Sequence, residues 1–291
     1  MGTTAHRPGI PARVPTRDGR TLFASVQTGP PGPPGPIVVF EAGAAATRSS
    51  WALVQPAVAE FATAIAYDRS GLGRSAPDPI GRTLDRMADD LVDVLRHFGA
   101  GPYVLVGHSA GGPIARLAAA RTDATIAGLV LADTTDEAAD VLFGRGFRTA
   151  EKVAVTINLS LARLGVLERL HRANTALLPP EARADLTREG FGVGPMRTHA
   201  EQARTFLDEL AAFRSNPPDI GEIPVTVVSG TRPGDGMPRS VRAAANASHA
   251  HRAAASPYGR HVLATKSAHY VPMTDAELII DEIRRLVEVI D

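Results

Sequence analysis

Cysteine is missing from all 291 residues, which excludes disulfides, thiolate catalysis and cysteine metal sites while leaving either redox compartment open. Lysine is nearly missing. Of 31 basic residues only Lys152 and Lys266 are lysines, and with the abundant Ala, Gly and Pro this reflects base composition of the coding sequence rather than function. No sign of charge prevails, 31 basic against 31 acidic residues, so nothing argues for nucleic acid or an anionic membrane surface as partner. No run approaches the ~20 apolar residues of a membrane span. Residues 1–15 are polar and broken by proline, without the apolar stretch of a signal peptide, so a cytoplasmic protein is expected. What is present, a 44% hydrophobic chain of this length, suffices for one large α/β domain with an insertion.

Short apolar runs alternate with helical patterns, the mark of a mainly parallel sheet covered by helices on both faces. Strands are expected at 22–26, 37–40, 63–67, 103–106, 128–131, 225–228 and 261–264. The first two look antiparallel, joined by the stiff Gly/Pro loop at 29–36. A helix follows the third strand, with Leu84, Met87, Leu91, Val94, Leu95 and Phe98 on its inner face and Asp85, Asp89, Asp90 and Asp93 read as its solvated side. Thr274-x-x-Glu277 reads as a capping box opening a final helix, with Ile279, Ile283, Leu286, Val287 and Ile290 facing inward. Between Leu131 and Ile223 the alternation fails and only helices are expected. Thr198-x-x-Glu201 opens the last of them, with Ala203, Phe206, Leu210 and Phe213 inside. Helices inserted between two parallel strands form a lid over the carboxyl edge of the sheet, where open α/β folds bind ligands. The expected division is a core of residues 1–135 and 216–291 and a helical lid at 136–215.

One motif carries chemistry. Gly107-His108-Ser109-Ala110-Gly111 lies between the strand run ending at Val106 and an alanine-rich segment from Gly112 onward. Strand, sharp turn and helix with a serine at the apex hold that serine in a strained conformation, its Oγ clear of the sheet, which requires small neighbours. In that context G-x-S-x-G signals an activated nucleophile. A serine hydroxyl needs a base, and the base needs an acid to fix its tautomer. Among nine histidines, His269 alone is late in the chain and on a loop following a strand. His108 is expected to point away from the elbow as a packing residue. His249 and His251, two apart on a helix, read as surface or interface residues.

The segments Phe40-Glu41-Ala42-Gly43-Ala44, 67–75 (Tyr-Asp-Arg-Ser-Gly-Leu-Gly-Arg-Ser), 107–112 and Ser267-Ala268-His269 resemble the α/β-hydrolase superfamily, in its lid-bearing, esterase- and lipase-like branch, from about Arg17 onward. The resemblance implies an eight-stranded, mostly parallel sheet flanked by helices, no cofactor and no metal. It also implies an oxyanion hole formed by the backbone N–H groups of Ala44 and of Ala110, although Ala42-Gly43 stands where the family usually has His-Gly. The family order of serine, acid, histidine leaves the acid open. Asp133, at the end of the strand before the insertion, is preferred because a strand end holds a carboxylate more rigidly than a glycine-flanked loop. Asp235, in the commoner family position, is the alternative, and Asp136 the third candidate. The glycines of 68–75 are expected to be structural.

The leading expectation is a cofactor-free serine hydrolase cleaving a small, uncharged ester or lactone through an acyl-enzyme, as monomer or homodimer. Related epoxide hydrolases and haloalkane dehalogenases carry Asp where this chain has Ser109. Carbon–carbon hydrolases, thioesterases and perhydrolases would use the same serine. A proline-specific aminopeptidase would need lid carboxylates, for which Glu151, Glu168, Glu181 and Glu189 are candidates. From another class, a hydrolase-fold ligand receptor would turn over slowly or not at all.

Overall fold

The structure is a computed structural model that describes residues 9–31 and 35–288. Residues 1–8, part of the 29–36 loop, and Ile290 lie outside the described residues. The elements run β1 (Ile10–Pro15), β2 (Thr21–Gln27), β3 (Ile37–Glu41), α1 (Gln55–Val58), β4 (Thr63–Asp68), α2 (Leu84–Phe98), β5 (Tyr103–His108), α3 (Gly111–Ala119) and β6 (Ile126–Ala132). Then come α4 (Arg145–Arg163), α5 (Leu167–Thr175), α6 (Pro180–Gly190), α7 (Val193–Ala203) and α8 (Phe206–Ala212), followed by β7 (Val225–Gly230), α9 (Arg239–Ala254), β8 (Gly259–Ala264), α10 (Val271–Thr274) and α11 (Ala276–Glu288).

The eight strands form one sheet in the order β1-β2-β4-β3-β5-β6-β7-β8, with β1 and β2 antiparallel and every pairing from β4 to β8 parallel. Successive side chains of a strand point to opposite faces, and the central strands bury both. Val39, Ile65, Leu105, Leu129, Leu131 and Val227 pack on one face against Leu91 and Leu95 of α2, Ile114 of α3 and Leu210 of α8. Val38, Phe40, Val104, Val106, Val130 and Val228 pack on the other against Ile279, Ile283, Leu286 and Val287 of α11. Burial on both sides is why these strands read as continuous apolar runs instead of alternating ones.

All seven expected strands are present. The eighth, β1, carries Pro11 and Pro15 and pairs on one side only, the placement a proline-bearing strand tolerates. The expected antiparallel pairing of 22–26 with 37–40 is incorrect. β2 pairs antiparallel with β1 and β4, while β3 inserts between β4 and β5, parallel to both. The acidic side of α2 is also not simply solvated. Asp90 and Asp93 are buried, Asp90 bonded to Arg20 and Arg82 and Asp93 to Arg17.

Helices α4 to α8 all lie between β6 and β7, as expected, but two of the expected caps are not caps. Thr198 sits inside α7 and its hydroxyl donates to the Gly71 carbonyl at 3.0 Å, docking the helix on the 68–75 turn. Thr274 ends α10, its hydroxyl donating to the Tyr270 carbonyl at 2.9 Å with Ser267 Oγ at 2.6 Å, and α11 begins at Ala276. Thr198 gives its hydroxyl to a tertiary acceptor, and Thr274 gives its own to the carbonyl one turn back, so neither is left to cap a helix start. Among the described residues no helix is long and apolar enough to cross a membrane.

Candidate active site

The turn between β5 and α3 is built on closeness. A Cβ at Gly107 would stand 2.6 Å from the Gly111 carbonyl oxygen, and one at Gly111 would collide with the carbonyls of Glu41 and Ala42. Only hydrogen fits at either place. Ser109 between them has φ +52°, a conformation that L side chains rarely adopt, and its N–H donates to Ala132 O at 3.1 Å. The turn is therefore stitched to β6 and lifts Oγ off the carboxyl edge of the sheet.

Asp133 follows directly on β6. Its N–H still donates to Val228 O of β7 at 2.7 Å, and its own φ of +43° turns the side chain out of the sheet. The carboxylate accepts the Gly230 N–H at 2.9 Å and a two-pronged pair of bonds from Arg242 of α9, at 2.5 and 3.0 Å. Its Oδ2 is 2.6 Å from His269 Nδ1, and His269 Nε2 is 3.0 Å from Ser109 Oγ. A carboxylate only accepts, so Nδ1 carries the hydrogen and Nε2 is free to accept from the serine hydroxyl. Burial works to raise the Asp133 carboxyl, but the bonds from His269 and Arg242 outweigh it and hold the group well below the usual carboxylate range. It is a fixed anion.

The structure thus brings Ser109, His269 and Asp133 into one hydrogen-bonded line. Asp235 does not join it. The side chain is exposed, and its Oδ2 accepts the backbone N–H of His269 at 3.2 Å. Asp136 is also elsewhere, accepting from Arg252 Nε at 2.8 Å and Ala138 N at 2.9 Å. Ala44 and Ala110 both line the cavity that holds Ser109 and His269, and among the described residues neither backbone N–H has a partner within the protein.

Several side chains that support this line were not legible. Arg69 bonds Glu41 and donates to the carbonyls of Ala42 and Gly43, fixing the loop that presents Ala44. Burial raises the Glu41 carboxyl, with Arg69 beside it opposing. His108 is buried against Trp51, as a packing residue would be, yet it also works on the site. Its Nε2 donates to the His269 carbonyl at 2.9 Å and its ring lies 4.9 Å from that of His269. Burial brings His108 down to about 3, so it stays neutral. A Cβ at Gly43 would come within 2.9 Å of His108 Nδ1, which gives Gly43 a steric reason. The surface reading of His249 is wrong. It is 1% exposed, donating to Thr134 O and accepting from Ser229 Oγ, both at 2.7 Å, while His251 is exposed as expected. The 68–75 turn is structural: Asp68 accepts from Arg48 and from Arg74 N, and a Cβ at Gly73 would overlap its carboxylate.

The cavity over Ser109 measures about 250 Å³. Its walls are apolar over much of their extent, from Leu142, Phe147, Phe206, Leu207, Met237 and Val241, and α4, α7 and α8 of the insertion supply part of them. Of the four glutamates weighed for amine binding, Glu151 lines this cavity. Glu189 is spent on Arg48 and Arg74, Glu168 accepts from Thr187, and Glu181 is exposed.

A family model described as the alpha/beta hydrolase family matches residues 38–282, most of the chain. The chain belongs to that family. This alpha/beta hydrolase is 25% identical over 314 aligned positions to an AB hydrolase superfamily protein of Gibberella zeae, covering 92% of each chain. A shorter stretch of 88 residues is 39% identical to a Yersinia enterocolitica protein provisionally named carbamate hydrolase RutD, covering 30% of this chain and 32% of that one. Among solved structures, an esterase from Exiguobacterium antarcticum superposes with a TM-score of 0.72 at 16% identity, covering 96% of this chain and all of that one, which is a likeness of fold.

Proposed function

We propose that this alpha/beta hydrolase is a serine esterase or lactonase working through an acyl-enzyme. The observation that carries the reading is the unbroken line Asp133–His269–Ser109, at 2.6 and 3.0 Å, opening on an apolar cavity. His269 Nε2 takes the Ser109 proton as Oγ bonds to the substrate carbonyl carbon. The carbonyl oxygen becomes an oxyanion between the N–H groups of Ala44 and Ala110, whose freedom from internal partners supports that role. Collapse of this intermediate expels the alkoxide, which leaves as the alcohol with the proton from His269. Water then enters, gives its proton to His269, attacks the acyl carbon, and releases the acid and free Ser109. Asp133, held anionic, keeps Nδ1–H directed and supports the imidazolium.

Helices α4 to α8 act as the lid in this reading, since Phe147, His199, Gln202, Phe206 and Leu207 shape the space above the nucleophile. The apolar walls favour an uncharged substrate. A carbamate is the second reading, supported by the local likeness to the RutD protein, because the same serine can attack a carbamate carbonyl. Ser109→Ala should keep its fold and lose on the order of 10³-fold or more of its turnover of short p-nitrophenyl esters. Full activity in that variant would refute a serine mechanism. Faster turnover of a matched p-nitrophenyl carbamate would favour the second reading.

A further inference from the structure

Seven buried side-chain nitrogen or oxygen atoms have no hydrogen-bond partner among the described residues. Six belong to Trp51, Arg69, Arg82, Arg116 and Arg242, none of which lines the cavity over Ser109. The seventh is Gln202 Oε1, and Gln202 does line it. A buried amide oxygen left unpaired costs roughly 1–3 kcal/mol, and the residue is 2% exposed, so bulk water does not offset that cost. A glutamine there is unfavourable for folding alone. Leu or Met, like the Leu142, Phe206 and Leu207 that line the same cavity, would carry no such penalty.

Gln202 has a neighbour of matching chemistry. His199 precedes it by three residues on α7, which places the two on one face of the helix. His199 lines the same cavity and also an adjoining one of about 210 Å³, the two sharing Ala44. Burial, with the charge of Arg69 near, brings His199 down to about 4, so at neutral pH it is an uncharged imidazole with one donor and one acceptor. Neither the amide nor the neutral imidazole carries a charge, so the pair offers a donor and an acceptor but no counter-ion to a carboxylate or an ammonium. A hydroxyl is the smallest group that can donate to one and accept from the other.

We propose that Gln202 and His199 form a subsite for a hydroxyl group on the substrate, so that the preferred substrate is a hydroxylated, uncharged ester or lactone and not a plain alkyl ester. The inference rests on the ester-cleaving reading of the same site. A site built to hydrogen-bond a substrate hydroxyl rejects the analogue lacking it, because its own buried polar groups are then left unpaired.

The test uses short alkyl methyl ketones, which cannot be hydrolysed, either plain or with one hydroxyl at successive chain positions, binding to the full chain measured by calorimetry. One hydroxyl position should bind on the order of tenfold or more tighter than the plain ketone. Gln202→Leu and the length-matched Gln202→Met, each checked by melting, should bring that ratio near unity while plain-ketone binding holds or improves. A wild-type protein that prefers no hydroxylated ketone would overturn the proposal, as would a preference that survives both substitutions. So would tighter binding of an amino ketone, held by Glu151, than of any hydroxy ketone. Failure of the serine mechanism would show separately, as ester hydrolysis persisting in Ser109→Ala, and would leave the affinity ratio to stand on its own.

Discussion

Asp133, the acid of the proposed mechanism, is held on three sides: by Gly230 N from β7, by the Arg242 fork from α9, and by His269. Asn at this position would keep the shape but lose the acceptor that fixes Nδ1–H, a change that costs a well-studied serine protease ~10⁴-fold in turnover. Asp133→Asn is therefore expected to cripple esterase activity. Asp235→Asn, which loses one bond to a backbone N–H on an exposed loop, should remain within about tenfold of the wild type by the same assay. Asp133→Asn also leaves Arg242 as a buried cation without its counter-charge, so a fall in melting temperature should accompany it. The reverse ranking of the two variants would move the acid to Asp235. Ser109 and His269 were legible because an elbow and a post-strand loop are local patterns. Arg242, 109 positions from its partner, has no such signature, and neither has Arg69 or His108, since a buried pair between distant segments leaves no periodicity in the chain.

At the scale of elements, α6 is tied to the core by charge. Arg48 bonds Asp68 of β4 and Glu189 of α6, both at 2.6 Å, and Arg74 bonds Glu189 at 2.7 Å. The side chains of Glu189 and Arg48 are each 7% exposed, so the bond between them is charge-assisted and shielded from water, while Arg74 reaches Glu189 from the exposed side. Glu189→Gln should weaken the attachment by about 1.5–3 kcal/mol, the value of hydrogen bonds to charged groups. Hydrogen exchange should then quicken in residues 180–190 and stay unchanged in β5 and α11. Uniform protection in the variant would mean that the apolar contacts of Leu178, Ala182 and Leu186 hold α6 without the ion pairs. The elements themselves were readable where burial imposes a period, as in α2 and α11. They were misread where other contacts override the local signal: Thr198 bonds the distant Gly71 carbonyl, Thr274 bonds back one turn to Tyr270, and β3 leaves its sequence neighbour β2 to enter the parallel stack.

For the whole molecule, the buried histidines tie stability to pH. Burial lowers His108 to about 3 and His199 to about 4, and it lowers His249 as well. Each is neutral in the folded state but takes up a proton in the unfolded chain below about 6.5. Between those limits the unfolded state binds more protons, so stability is complete above about pH 6.5 and falls as pH drops. By pH 5 a single fully buried histidine such as His108 should cost about 2 kcal/mol, before most carboxylates begin to titrate. Urea unfolding at pH 7, 6 and 5 checks this, and His249→Gln should flatten the dependence. A stability that is constant over that range would contradict neutral burial. Sheet edge, elbow and cavity act together in the attack on substrate, and a crystal structure of the protein phosphonylated by a serine-directed inhibitor would show all three at once. Phosphorus should sit on Ser109 Oγ, with its anionic oxygen about 2.7–3.1 Å from the backbone nitrogens of both Ala44 and Ala110. Attachment at another residue, or an adduct on Ser109 whose oxygen faces solvent, would contradict the proposed mechanism.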